Sequence, residues 1–125
     1  MKVGELTKGE PITAAVHESA GAAWERMHER RVAYLVVVRD GRVVGVLSRQ
    51  DLAGPSGGVH RRMGRTVGDL MRRDVATVTP QTSLRRAASL MRRQGIGCLP
   101  VLRAGKLVGL LTVSHLLEIL ERSGL

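Results

Sequence analysis

The 125-residue chain has one cysteine, no phenylalanine, and only Trp24 and Tyr34 as aromatic residues. With Cys98 alone, no internal disulfide can form and nothing points to an oxidising compartment. So few rings argue against the stacking platforms by which proteins hold single-stranded nucleic acid. Long apolar runs are missing too. The longest, residues 32–38, has seven residues, whereas a membrane-spanning helix needs roughly 20. The opening "MKVGELTKGEPITAAV" lacks the apolar core of a secretion signal, so a soluble, cytoplasmic protein is expected. His17, His28, His60, His115 and Cys98 show no metal-ligand spacing, and no metal site is expected. There is no Walker lysine loop and no dinucleotide fingerprint, and Ser48 has no histidine base in its own half. Neither an enzyme nor a catalytic cofactor is therefore expected. Acids are scarce as well: 11 Asp and Glu stand against 17 Arg and 3 Lys, a formal charge of +9. That excess suits nucleic acid, phosphorylated ligands or an acidic partner, and charge alone does not choose among them.

What the chain does have is a duplication. Shifted by 64 positions, residues 3–52 align with 67–116 without a gap, and fifteen of the fifty pairs are identical. "VGEL" meets "VGDL", and "LVVVRDGRVVGVLS" meets "LPVLRAGKLVGLLT". Residues 1–54 form the first repeat and 67–125 the second, joined by a Gly- and Arg-rich connector over 55–66. A half of this size buries only ~60% of its unfolded surface and is marginal alone, so the halves are expected to share a core.

Each repeat reads strand, helix, strand, strand, helix. Strands are predicted at 12–16 and 75–79, then helices capped by Ser19 and Ser83. Ala20, Ala23, Trp24 and Met27 keep helical spacing, as do Leu84, Ala87, Ala88 and Met91, and these faces should turn inward. Arg85, Arg86, Ser89, Arg92 and Arg93 fall on the opposite, wet face. Hairpins follow at 33–38 with 43–47 and at 98–102 with 107–111, turning at Asp40–Gly41 and at the matching "RAGK". Closing helices open at Ser48 and Thr112, the first cut short at "GPSGG". The fold class is α+β: two β-α-β-β-α repeats, expected to pack sheet to sheet about a pseudo-twofold axis.

With "VGDLM" at 67–71, "TVTPQTSLRRAASLM" at 77–91, "GIGCLPVL" at 95–102 and "GKLVGLLT" at 105–112, the chain resembles a tandem pair of CBS domains, the Bateman module. The first repeat departs from the pattern at Pro11 and at Val36, which stands where the second has Pro100. The resemblance implies a free-standing regulatory module that binds an adenosyl compound such as AMP, ADP, ATP or S-adenosylmethionine between its repeats. It also implies a homodimer and an unidentified regulated protein.

The turns that close the two hairpins carry Ser48 with Asp51, and Thr112 with His115. A hydroxyl with a carboxylate three residues on is a capping box in any protein. In the family resembled, the hydroxyl also assists phosphate binding and the aspartate accepts from the ribose hydroxyls, for which two carboxylate oxygens suit well. His115 cannot reproduce that two-point grip, so its site should be degenerate, or His115 is simply a helix-surface residue. The resemblance assigns the base-contacting wall to Val75, Ala76, Ile96, Gly97, Cys98 and Pro100, with Val46 from the first repeat. Ordinary core packing is the competing reading for each, above all for Val75 and Ile96. Arg49 is the nearest cation for a phosphate. Two rival functions stand beside this one: a structural dimerisation module with vestigial clefts, and a basic nucleic-acid binder built around "HRRMGR" at 60–65.

Overall fold

The computed structural model describes residues 1–7, 9–53 and 64–123. Most of the 55–66 connector, "GPSGG" and most of "HRRMGR" fall outside the described residues. In space the chain forms two compact units, a central one of Ile12–Val75 and a terminal one of Met1–Pro11 with Ala76–Leu125.

The central unit contains β1 (Thr13–Ala15), α1 (Ala20–Arg30), β2 (Tyr34–Arg39), β3 (Arg42–Ser48), α2 (Arg49–Ala53), α3 (Val67–Leu70) and β4 (Arg72–Arg73). Its sheet runs β1-β2-β3-β4, with β1 parallel to β2 and the other pairs antiparallel. The terminal unit contains α4 (Leu84–Gln94), β5 (Cys98–Arg103), β6 (Lys106–Thr112) and α5 (Val113–Ser123), preceded by a 3-10 turn at Val3–Glu5.

The two hairpins are near copies. Asp40–Gly41 and Ala104–Gly105 turn with φ of 50° and 76°, and 50° and 80°. Such two-residue turns match the strand twist, and glycine carries the second positive φ without steric cost. Each hairpin then shifts register at the same place, after Val37 and after Val101. Leu35, Val36, Val37, Leu99, Pro100 and Val101 are all buried, as expected of short apolar strands covered on both faces. Ser19 and Ser83 cap α1 and α4, accepting from Ala22 and Arg86 at 3.1 and 3.2 Å. Ala20, Ala23 and Met27 of α1 lie in one cluster with Leu35, Leu47 and Leu52.

Two sequence expectations change. The strand predicted at 75–79 is a single parallel bridge, Val78 to Val101. Neighbouring N–H groups have side-chain partners instead: Ala76 donates to Gln94 Oε1 at 3.1 Å and Thr79 to Thr82 Oγ1 at 3.0 Å. Side-chain acceptors thus draw the backbone away from the ladder. The same device trims β1, where Ala15 N–H donates to Glu18 Oε2 at 2.6 Å. The second change is Ala88, which is exposed although Ala87 and Met91 are buried.

The leading segment of each repeat packs within the unit built around the other. Val3 and Gly4 N–H donate to Thr82 and Pro80 carbonyls at 2.8 and 2.9 Å, and Val67 and Gly68 donate to Glu18 and Val16 at 2.8 Å each. These are equivalent positions, so the exchange is reciprocal. It sets two close approaches. A Cβ on Gly45 would meet the Arg72 carbonyl oxygen at 2.5 Å, and one on Gly109 would meet Thr7 Cβ at 3.0 Å.

Candidate functional site

The turn from β3 into α2 begins with a hydroxyl because the helix leaves its first N–H groups without intrahelical partners. Ser48 Oγ accepts from Asp51 N–H at 3.1 Å, and Asp51 Oδ2 accepts from Ser48 N–H at 2.8 Å. This closed box fixes the carboxylate against the backbone and uses one of its oxygens. Oδ1 has no hydrogen bond among the described residues. Both side chains are half-buried.

The turn from β6 into α5 repeats the box with a different atom. His115 N–H donates to Thr112 Oγ1 at 3.3 Å, and Thr112 N–H donates to His115 Nδ1 at 3.1 Å. An accepting Nδ1 carries no proton, so the neutral ring holds its hydrogen on Nε2. The remaining polar atom is therefore an acceptor at Asp51 and a donor at His115. A third box, Thr66 with Asp69, starts α3, where the bond from Thr66 N–H holds the exposed carboxyl below its usual range. Capping alone thus accounts for the hydroxyl-x-x-acid pattern. The atom left over distinguishes the turns.

Arg49 sits on a different task from the one its position suggested. Its Nε donates to the Val32 carbonyl at 3.2 Å and Nη2 to the Met27 carbonyl at 3.4 Å. Cations favour the C-terminal end of a helix, where carbonyls lack partners, and Met27 lies in the last turn of α1. Val46 is buried in β3, opposite Val36.

The other sequence-derived candidates fall in two groups. Val75, half-buried, ends the central unit with Val46, Ser48, Arg49 and Asp51. Ala76 opens the second stretch of the terminal unit, which also holds Ile96, Gly97, Cys98 and Pro100 together with Thr112 and His115. Within it, Ile96, Cys98 and Pro100 are buried. The Gly97 carbonyl accepts from Val113 N–H at 3.0 Å, and that of Pro100 from Val78 at 3.0 Å.

Sequence reading missed two central-unit features. Glu18 pairs with Arg26, which also donates to the Thr13 carbonyl at 2.9 Å. The Arg26 hydrogen bond holds the Glu18 carboxyl below its ordinary range and raises the guanidinium above its own. The second feature is an edge-to-face contact of Trp24 with His28, centroids 5.0 Å apart. The i, i+4 spacing of this pair was the available signal. Among the described residues, no group of three metal-ligating side chains occurs, and no helix is long and apolar enough to cross a membrane.

Comparison with known proteins places this architecture. The family model for the CBS domain matches residues 3–54 and 67–122. Inosine-5'-monophosphate dehydrogenase of Thermoplasma acidophilum is 32% identical over 92 residues, 73% of this chain and 18% of that protein. The chain spans less than two thirds of the length of this and the next curated relatives. The crystal structure of CBSX2 in complex with AMP shares 29% identity, with a TM-score of 0.79 over 99% of this chain and 98% of the other. The CBS domain pair of MJ0100, in complex with 5-methylthioadenosine and S-adenosyl-L-methionine, superposes with a TM-score of 0.87 over 98% of each chain. At 22% identity it speaks to the fold alone. Two matched repeats, both hairpins and both capped turns agree: the chain belongs to the CBS domain family and carries two CBS repeats in tandem.

Proposed function

We propose that this CBS pair is a regulatory module that senses an adenosyl ligand, with Asp51 clasping the ribose diol. The reading is carried by one observation: Asp51 is held in its turn by Oδ2, while Oδ1 keeps its lone pairs for a ligand hydroxyl. The similarity to a CBS protein solved with AMP supports the ligand class. Ser48 assists the phosphate. Arg49 reaches it only by releasing the Met27 and Val32 carbonyls, so phosphate contributes less than ribose. Val46, Val75, Ala76, Ile96, Gly97, Cys98 and Pro100 supply the apolar wall for the base. A ligand favours whichever state of the protein it contacts better, and that difference is the signal passed to a second copy or a partner protein.

The Thr112–His115 turn presents Nε2–H, a donor, and does not take a diol in the same way. One high-affinity site per chain is expected. A thermal-shift panel of AMP, ADP, ATP, S-adenosylmethionine, NAD and free adenine tests the reading. Saturating adenosyl ligands should raise the melting temperature, with ~2.7 kcal/mol of stabilisation at a hundredfold excess over Kd. Free adenine should do little. A flat response across the panel leaves the dimerisation module as the better account.

A further inference from the structure

Aligned by the duplication, residues 11–53 and 75–117 each hold six cations, yet the first stretch has five acids and the second has none. Glu18, Glu25, Glu29, Asp40 and Asp51 become Thr82, Ser89, Arg93, Ala104 and His115. The six cations of the second stretch are Arg85, Arg86, Arg92 and Arg93 on α4, with Arg103 and Lys106 at the tip of the β5–β6 hairpin. All six are exposed, and none forms an ion pair among the described residues. The helix α4 is the crossover between Val78 and its parallel partner Val101, so it runs opposite to β5. The hairpin tip and the start of α4 therefore share one end of the terminal unit.

Three local preferences are overridden where this charge stands. Arg85 and Arg86 occupy the first turn of α4, the end of a helix that favours acids. Arg103 lies directly opposite Lys106, and like charges so placed repel. Ala104 takes φ of 50°, a region that aspartate enters more readily than alanine, and the equivalent turn has Asp40 there. None of this serves the fold. All of it suits an anion bound from outside.

We propose that this face of the terminal unit binds the phosphodiester backbone of a nucleic-acid duplex, without regard to base sequence. Guanidinium forks match phosphate oxygens, and arginine stays charged at any working pH. Arg85 with Arg92, and Arg86 with Arg93, stand two helical turns apart, ~10.5 Å along the axis. One strand of a duplex advances about 3.4 Å per phosphate, so each row matches about every third phosphate. A single strand is the poorer ligand, because neither α4 nor the hairpin tip has a ring on which a base could stack. An acidic protein is poorer too. Protein interfaces centre on apolar groups, and between the two arginine pairs of α4 only Ala88 is exposed. The basic run at 60–65 takes no part in this surface.

Binding here is independent of the adenosyl ligand, and the test needs no nucleotide. In fluorescence anisotropy, wild type should bind a labelled DNA duplex of about 20 base pairs, with affinity falling steeply between about 50 and 200 mM salt. R85Q/R86Q/R92Q/R93Q should weaken binding about a hundredfold at low salt and flatten the slope of log K against log salt by about 3 to 4. R103Q/K106Q should flatten it by about 2. R39Q/R42Q removes the same charge from the equivalent hairpin of the first repeat, where acids are interspersed, and should weaken binding by about threefold at most. Glutamine is a good helix former and all the substituted positions are exposed, so circular dichroism should be unchanged. If the fourfold variant fails to fold, R103Q/K106Q set against R39Q/R42Q decides. A wild type that does not bind, or hairpin variants of equal effect, overturns the proposal. So does a single strand or polyglutamate that displaces the duplex equally well at equal charge.

Discussion

The two hairpin-to-helix turns have the same backbone and opposite chemistry. Ser48–Asp51 and Thr112–His115 close the same reciprocal box, with all four bonds between 2.8 and 3.3 Å. A half-buried helix start at the end of a hairpin needs its N–H groups satisfied, and either a carboxylate or an unprotonated imidazole nitrogen does this. The fold therefore tolerates both residues at the third position. What remains is one atom per turn, an acceptor in the central unit and a donor in the terminal unit. Form is held by the bonds that point inward, and function is free to diverge at the atom that does not.

The largest expected contrast between the units lies in the hairpin glycines. Gly45 faces backbone at 2.5 Å, which cannot yield without moving β4. Gly109 faces a threonine side chain at 3.0 Å. Gly45→Ala should destabilise by about 3 kcal/mol and Gly109→Ala by about 1 kcal/mol, measured by denaturant unfolding. Equal losses mean that the exchanged segments approach the two hairpins alike.

Next comes the Glu18–Arg26 pair, which the terminal unit replaces with Thr82 and Leu90. Arg26→Ala should cost about 2 kcal/mol at neutral pH, since it removes hydrogen bonds to a charged partner and to the Thr13 carbonyl. Glu18 is held low by Arg26. A depressed carboxylate contributes stability that is complete above its unfolded value, about 4.3, and disappears as pH falls through the folded value. The cost of Arg26→Ala should accordingly shrink below about pH 4. A cost independent of pH contradicts this assignment.

The smallest contrast concerns how α1 and α4 end. Gly95 takes the left-handed cap of α4 at φ 60°, whereas α1 places Arg31 there at φ 55°. A side chain in that region costs roughly 1 kcal/mol. Arg31→Gly should stabilise the protein by that amount and Gly95→Arg destabilise it, both measured by denaturant unfolding.

Much of this was legible in the chain. The 64-residue duplication, the Asp40–Gly41 turn, the Ser19 and Ser83 caps and the hydroxyl boxes are local, and local patterns declare themselves. The exchange of leading segments was not, because "VGEL" and "VGDL" read as the openings of their own repeats. Which unit Val3 or Val67 joins depends on backbone bonds to Thr82 and Glu18, and no spacing announces those. Residues 75–79 looked like a strand by composition, and lost to side-chain acceptors on Gln94 and Thr82. At the candidate site, Ser48 and Asp51 were found from their spacing. The diversion of Arg49 depends on carbonyls seventeen and twenty-two residues away in the chain, those of Val32 and Met27.

The sensor reading depends on what Asp51 does with the oxygen that capping leaves over. Asp51→Asn isolates that role, because the amide oxygen can still accept from Ser48 N–H while the second acceptor becomes a donor. Isothermal titration of AMP into wild type, Asp51→Asn and His115→Ala is the direct measurement. Unchanged folding with affinity lost by tenfold or more in Asp51→Asn alone is the expected outcome. Equal affinity in all three proteins would remove the carboxylate from ligand recognition and leave it a helix cap only.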